Sequence, residues 1–242
     1  MANWCRNVFA IYPKNDSVLG KAQLKRLFAQ LRKVTQIDYP EGAEKHNWYG
    51  LLSVMRGKDA ADVYARGSIN YTQWCGDYIL MGTETAWEPQ DDVVKDMLDC
   101  KECSELAVVL FAEEDGNEIY INTDTTGRFF PEKYVLDYDF TPLTDDDDDD
   151  DDDDGGIGCD RDYFSDAESL LRRFHTICDR LHIWSYNNSR DGIETFHFEW
   201  GDLKGTPEEQ CEQNYKAIKD YMEKYDDLFE SCYIFYHKFE SE

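Results

Sequence analysis

Residues 145 to 154 are ten consecutive aspartates: Asp145, Asp146, Asp147, Asp148, Asp149, Asp150, Asp151, Asp152, Asp153 and Asp154. Carboxylates at this density can hold hard cations, or they can attract a basic macromolecular surface. The cation reading has a definite register. Asp150, Asp152, Asp154, Gly155 and Ile157 fall at positions 1, 3, 5, 6 and 8 of an EF-hand-like Ca²⁺ loop, where alternate oxygen ligands, a turn glycine and an apolar pin are needed. Position 12 is Arg161, so the bidentate Glu is missing, and Asp160 or Asp162 could replace it only with shifted geometry. Any poly-Asp run ending in glycine produces most of this match, so no cofactor is expected and Ca²⁺ stays a competing reading. The polyanion reading rests on spacing. An extended residue spans ~3.3–3.6 Å, and one DNA strand carries a charge per ~3.4 Å of axis. An extended Asp tract therefore matches one phosphate strand and could fill a basic nucleic-acid groove as a decoy. The plainer alternative is a solvated, self-repelling loop produced by repeat expansion.

Other candidate chemistry is sparse. Cys100-Lys101-Glu102-Cys103 is a lone Cys-x-x-Cys; zinc would need two further ligands, and the context is not thioredoxin-like, so a structural role is expected. The histidines are His46, His175, His182, His197 and His237. His197 and His237 fall in predicted strands and could meet on one sheet face, as a ligand pair or general base. No P-loop, Gly-x-Gly-x-x-Gly, Gly-x-Ser-x-Gly or His-Glu-x-x-His pattern occurs, and no nucleophile is paired with a base. Catalytic residues are not assigned, and an enzyme is the less favoured class.

The 242 residues carry a formal net charge of −27, with 41% hydrophobic and 14% aromatic residues. Such a chain can build cores, unlike an acidic disordered protein. Residues 1–140 hold 23 acids and 15 bases, and residues 160–242 hold 19 and 10, so both halves are acidic without the tract. That field repels nucleic acid and anionic lipid and speeds encounter with basic partners. No RNP1-like basic-aromatic segment is present, so direct nucleic-acid binding is not expected. The start, MANWCRN, lacks an apolar signal core, and no 18-residue apolar stretch exists. A cytoplasmic protein without membrane contact, its eight cysteines reduced, is the expectation.

The elements that must position these residues follow from periodicity. Arg6–Tyr12 predicts a strand, and Ser17 caps a helix burying Leu24, Leu27, Phe28, Leu31 and Val34. A helix is predicted within residues 48–66. Ser68–Cys75 and Tyr78–Trp87 form a hairpin across Gly76-Asp77. Pro89 opens a helix burying Val93, Val94, Met97 and Leu98. Leu106–Ala112 and Glu118–Thr123 are strands joined at Asp115-Gly116. The second half repeats the order: strand Tyr134–Phe140, the Asp run, a helix behind a Ser165/Glu168 capping box, a short strand His182–Tyr186, a strand Ile193–Trp200, a helix behind Thr206-Pro207-Glu209, and strand Tyr233–Phe239. The fold class predicted is α+β, with two tandem ferredoxin-like (βαββαβ) domains, antiparallel sheets and an acidic loop inserted in the second. The domains are 1–130, with an insertion at 36–67, and 131–242, with a disordered poly-Asp loop at 145–156.

Three segments of the first half resemble the YubB-like family of plasmid- and phage-borne proteins. They are Asn3-Trp4-Cys5 with Asn7, Thr85-Ala86-Trp87-Glu88-Pro89, and Glu113–Asn117 leading into a strand. The resemblance covers roughly residues 1–130 and departs in the middle, where only Tyr71–Gly76 stands for the family's Trp-Gly-Thr-Lys-Trp-like stretch. It implies a ferredoxin-like domain, mobile-element origin and cytosolic action, and carries no chemistry. Trp4 and Trp87 are expected to pack in the core.

Together these readings predict a non-enzymatic acidic binding protein of a mobile element. Its partner would be a protein with a basic surface, such as a host nucleic-acid-binding or defence protein inhibited by phosphate mimicry. Asp145–Asp154 would make the contact, with Glu113, Glu114, Asp115, Glu208, Glu209, Asp226 and Asp227 as further acidic surface. The alternative is an enzyme or Ca²⁺-dependent regulator with a site between the domains.

Overall fold

Two antiparallel sheets organise the chain, one of six strands and one of three. The computed structural model describes residues 3–34, 47–142, 157–187, 198, 201 and 203–241. These are the sheets of an α+β protein, and they fall into separate units: Met1–Phe130 with Glu240–Glu242, and Pro131–Phe239.

In the first unit the elements are β1 (Trp4–Pro13), α1 (Val18–Val34), β2 (Asn47–Trp48), α2 (Leu51–Val54), β3 (Gly67–Trp74), β4 (Ile79–Ala86), α3 (Asp92–Leu98), β5 (Leu106–Glu114) and β6 (Ile119–Asn122). The strand order is β2-β3-β4-β1-β5-β6, with β1 antiparallel to both β4 and β5. Period-2 alternation along β1 gives the sheet two faces. Cys5, Phe9 and Ile11 join Leu24, Leu27 and Leu31 of α1 and Val94 and Met97 of α3 in one core. Val8, Ala10 and Tyr12 face the other way and pack with Phe129 and Phe130. Helix α1 starts as its sequence requires, with the Gly20 N–H donating to Ser17 Oγ at 3.0 Å. Gly76, at φ 93°, supplies the left-handed residue that the β3–β4 hairpin needs.

The helix predicted within residues 48–66 is the four-residue α2, which follows the end of β2 and precedes a 3₁₀ turn at Ala60–Asp62. Gly57, at φ 90°, breaks the helical path, and Asp59 then accepts the Ala61 N–H at 3.0 Å to start the turn. The last residues return to this unit: the Glu240 N–H donates to Tyr120 O at 2.8 Å, and Glu240 O accepts the Asn122 N–H at 2.9 Å.

In the second unit the elements are β7 (Tyr134–Pro142), β8 (Ile157–Phe164), α4 (Ala167–Asn187), α5 (Pro207–Lys224) and β9 (Phe229–Lys238), with sheet order β8-β7-β9. Alternation on β7 points Tyr134, Leu136, Tyr138 and Phe140 into the core. They meet Leu170, Phe174, Ile177 and Leu181 of α4 and Cys211, Ile218 and Met222 of α5. Thr206 and Glu209 form the predicted capping box, with proline at the helix start.

Two local expectations are corrected. Residues 182–186 continue α4 and are not a strand, because the buried positions Ile177, Cys178, Leu181 and Ser185 keep helical spacing. Asp166, not Ser165, caps that helix: its Oδ1 accepts the Ser169 N–H at 2.7 Å, while Ser165 Oγ donates to Asp166 Oδ2 at 3.2 Å. Ile157–Phe164, for which no element was predicted, is a strand held by pairing to β7. The described elements of this unit therefore run β-β-α-α-β. The predicted strand Ile193–Trp200 lies outside the described residues, apart from the buried Phe198, whose ring meets Tyr221 at 5.1 Å.

Candidate functional site: a corner with two exposed indoles

The three segments picked out by their motifs converge at one end of the first unit's sheet. β1 and β4 are in register Trp4↔Ala86, Cys5↔Thr85 and Asn7↔Thr83. Asn7 is the hub. Its Nδ2 donates to Cys5 O at 3.2 Å, Thr83 Oγ1 at 3.2 Å and Thr85 Oγ1 at 2.9 Å, and its Oδ1 accepts from Cys5 Sγ at 3.2 Å. Thr85 Oγ1 in turn donates to Glu88 O at 2.5 Å. The Trp87 N–H donates to Asn3 O at 2.9 Å, and Asn117 Nδ2 donates to Trp87 O at 3.3 Å. Every polar group of this buried node has a partner, as burial requires.

The node presents two indoles to solvent. Trp4 is 53% and Trp87 47% exposed, which corrects their predicted place in the core. The cause for Trp4 is strand alternation, since Cys5 takes the core side. Trp87 sits at φ 69°, a left-handed conformation that costs a bulky residue ~1–2 kcal/mol. The bonds to Asn3 and Asn117 hold it there, and Arg66 places its guanidinium 4.6 Å from the ring centroid. Strained backbone positions of this kind cluster at functional sites in proteins generally.

Two of the acids predicted to form a surface here are turned inward, and the third, Asp115, is exposed. Glu113 and Glu114 are buried. Glu114 accepts the Gly116 N–H at 2.8 Å and the Asn117 N–H at 2.6 Å, bracing the β5–β6 turn, and Asp115 accepts the Tyr120 hydroxyl at 2.5 Å. Glu208 likewise accepts from Tyr134 Oη and Lys238 Nζ, and Glu209 closes the helix cap. Glu113 and Glu114 are therefore withdrawn from the predicted acidic surface, whereas Asp115 and Glu209 stay exposed and Glu208 is partly exposed. Asp226 is exposed on a 3₁₀ turn. Burial, then the Glu114 charge, pushes the Cys5 thiol up to about 12, so Cys5 is a neutral packing group and no nucleophile.

The remaining candidates are scattered. Asp145–Asp154 lie outside the described residues, and with them Asp150, Asp152 and Asp154 of the Ca²⁺ register. Asp162 sits on β8 and accepts from Arg173 Nη2 at 2.5 Å. The side chain of Asp227 lies outside the described residues, as do His46 and His197. His182 Nδ1 pairs with Phe198 O at 2.9 Å, and the His237 ring lies 4.7 Å from Phe235. Among the described residues no group of three or more His, Cys, Asp or Glu could hold a metal. Sequence reading missed a cleft of about 310 Å³ at the β1–α1 turn, lined by Lys14, Lys21, Lys25, Trp74 and Arg128. Two of its cations are paired inside it, Lys21 to Asp16 and Arg128 to Asp77.

No family model, curated protein or solved structure matches the chain. No described helix is long and apolar enough to cross a membrane. The class that fold and site define is an α+β protein with antiparallel sheets and a built, solvent-facing aromatic corner.

Proposed function

We propose that this chain is a non-enzymatic protein that binds a basic protein surface. The observation that carries the reading is a chain of net charge −27 that holds two indoles open to solvent, one already faced by an arginine. Negative charge speeds encounter with a basic partner. An exposed indole then offers lysine or arginine a cation–π contact of about 0.5–1 kcal/mol, more when desolvated. Trp and Arg are also the residues that most often dominate interface energy. The concrete form we favour is a cytoplasmic, mobile-element protein that inhibits a host nucleic-acid-binding or defence protein, with Asp145–Asp154 as the phosphate mimic and Trp4 and Trp87 as anchors. The resemblance to YubB-like proteins supports the mobile-element origin. The strand order β3-β4-β1-β5 supports a ferredoxin-like reading of the first unit. The described β-β-α-α-β order of the second unit does not complete that pattern.

Capture from host lysate at low and high salt tests the proposal with three forms: the intact chain, a deletion of Asp145–Asp154, and the Trp4→Ala/Trp87→Ala double variant. The expected result is a nucleic-acid-binding protein, captured only at low salt, that releases its nucleic acid on binding. Both altered forms should bind it more weakly. Equal binding by the deletion form at low salt would remove the tract from the mechanism. Capture that ignores salt would overturn the electrostatic reading.

A further inference from the structure

We propose that Cys100 and Cys103 form a thiol–disulfide exchange site, with Cys100 as the attacking thiol and Cys103 as the resolving one. The two residues bracket a single 3₁₀ turn, Lys101–Cys103, closed by the Cys103 N–H donating to Cys100 O at 3.0 Å. Cys100 is partly exposed and Cys103 is buried, the asymmetry that exchange needs: one sulfur reachable by a reagent, the other reachable only by its neighbour. The turn itself is pinned, because Gln23 Nε2 donates to Lys101 O at 3.3 Å and Gln23 Oε1 accepts the Glu105 N–H at 2.9 Å.

The second observation is Arg56. Its Nη2 lies 3.0 Å from Cys103 Sγ, and its Nε donates to Met97 O at 2.8 Å. Its remaining contact is Gln30 Oε1 at 3.5 Å, and among the described residues no carboxylate pairs with it. A partly buried guanidinium aimed at sulfur stabilises a thiolate there and does little for a thiol. At rest burial dominates: it pushes the Cys103 thiol up to about 12, against the lowering effect of Arg56. The Arg56 charge therefore matters when Cys103 loses its proton during ring closure.

The co-reactant is a low-molecular-weight disulfide. The Cys100 thiolate attacks one of its sulfurs, forming a mixed disulfide and expelling one thiolate. Cys103 then loses its proton and attacks Cys100 Sγ, forming the intramolecular bond and expelling the second thiolate. Two protein thiols are oxidised, one external disulfide is reduced to two thiols, and both protons end on the released thiols. Closure consumes the transient Cys103 thiolate that faces Arg56, while the Arg56 Nε bond to Met97 O stays in place.

The test uses the full chain with oxidised glutathione at pH 8, followed by alkylation and tryptic mass spectrometry. Lys101 lies between the cysteines, so trypsin separates them unless they are bonded. The expected product is a disulfide-linked Cys100/Cys103 peptide pair, formed before any change at Cys75 or Cys232. Cys103→Ser should accumulate a glutathione adduct on Cys100, and Cys100→Ser should leave Cys103 unmodified in the native chain. Arg56→Met should accumulate the mixed disulfide roughly tenfold over wild type while Cys100 alkylation stays unchanged. A wild-type chain that stops at the Cys100 adduct, or that bonds other cysteines first, overturns the proposal. Circular dichroism on each variant separates a folding defect from a loss of exchange.

Discussion

Beneath the first unit's sheet, the two amide hydrogens of Asn7 are shared among Cys5 O, Thr83 Oγ1 and Thr85 Oγ1, at a depth where the second unit places Tyr138, Phe140 and Phe174. The other face of the first sheet is closed by a second polar device. Asp124 accepts the N–H groups of Phe129 and Phe130 at 2.6 and 3.1 Å and so sets both rings over Val8, Ala10 and Tyr12. In the second unit Tyr236 lies against Tyr134, Phe174 and Tyr215 at 6.4, 5.8 and 5.6 Å. Its buried polar side chains among the described residues, Ser185 and Asn214, sit on the helices and not on the sheet. A hydrogen-bonded node fixes where each strand end lies, and aromatic area supplies burial with less positional demand. In the first unit that node holds Trp87 in its left-handed backbone through the bonds to Asn3 and Asn117.

The largest test of this contrast is Phe174→Ala. Phe174 is fully buried and meets Tyr236 edge to face, so its loss should cost ~3–5 kcal/mol. Hydrogen exchange at the β7 and β9 amides should report it, with the β1 and β4 amides unchanged. Next comes Asn7→Ala, which removes the amide donor to the Thr83 and Thr85 hydroxyls and should cost about 1–3 kcal/mol. Because the same node holds Trp87, this variant should also shift the indole fluorescence. A cost below 0.5 kcal/mol at Asn7, or a larger cost there than at Phe174, would break the contrast (roughly the scatter expected for surface changes).

Much of the first unit was legible because its signals are local. Strand alternation, the Ser17 cap, the Gly76 hairpin and the α3 stripe each sit inside a single segment. The reading failed where a partner far along the chain decides. Ile157–Phe164 has little alternation of its own and becomes a strand by pairing with β7. Residues 182–186 are β-branched and aromatic enough to suggest a strand, yet their helical register continues that of Leu181. At the corner, the motifs picked out residues that the fold brings together, but Trp4 and Trp87 were expected to pack and are exposed. Nothing within Asn3–Asn7 says that Trp4 takes the open face until the pairing of β1 is known. Arg56 stands 47 positions from Cys103, so the Cys-x-x-Cys alone carried no sign of a cation.

A third prediction concerns acid. Burial works to raise the Asp124 carboxyl, but hydrogen bonds from the Thr126 hydroxyl and the Phe129, Phe130 and Thr126 N–H groups outweigh it and hold the group below its usual range. With a folded pKa below the unfolded one, its contribution is fully present above the unfolded value of about 3.9 and is lost as pH falls through the folded value. Asp124→Asn should remove this acid-sensitive part and cost ~1–2 kcal/mol at neutral pH, since one anionic acceptor is lost. Tyr12 and Tyr78 flank Phe129 at 4.7 and 4.9 Å, so their fluorescence should follow the strap as acid releases it. A strap that stays closed well below that range would show that aromatic packing alone secures the second face, which would bring the first unit closer to the second.

The smallest effect is at Thr206. Its Oγ1 accepts the Glu209 N–H at 3.3 Å, and Glu209 Oε2 accepts the Thr206 N–H at 2.7 Å. Thr206→Ala removes half of this reciprocal cap and should cost ~1 kcal/mol. The effect should appear as faster exchange in the first turn of α5, while the Tyr134, Phe174 and Tyr236 cluster keeps its protection. Should the variant instead open the whole aromatic cluster, the second unit would depend on a polar node as much as the first does. The division between a unit fixed by hydrogen bonds and a unit filled by rings would then reduce to where each node happens to lie, at a strand end in one and a helix start in the other.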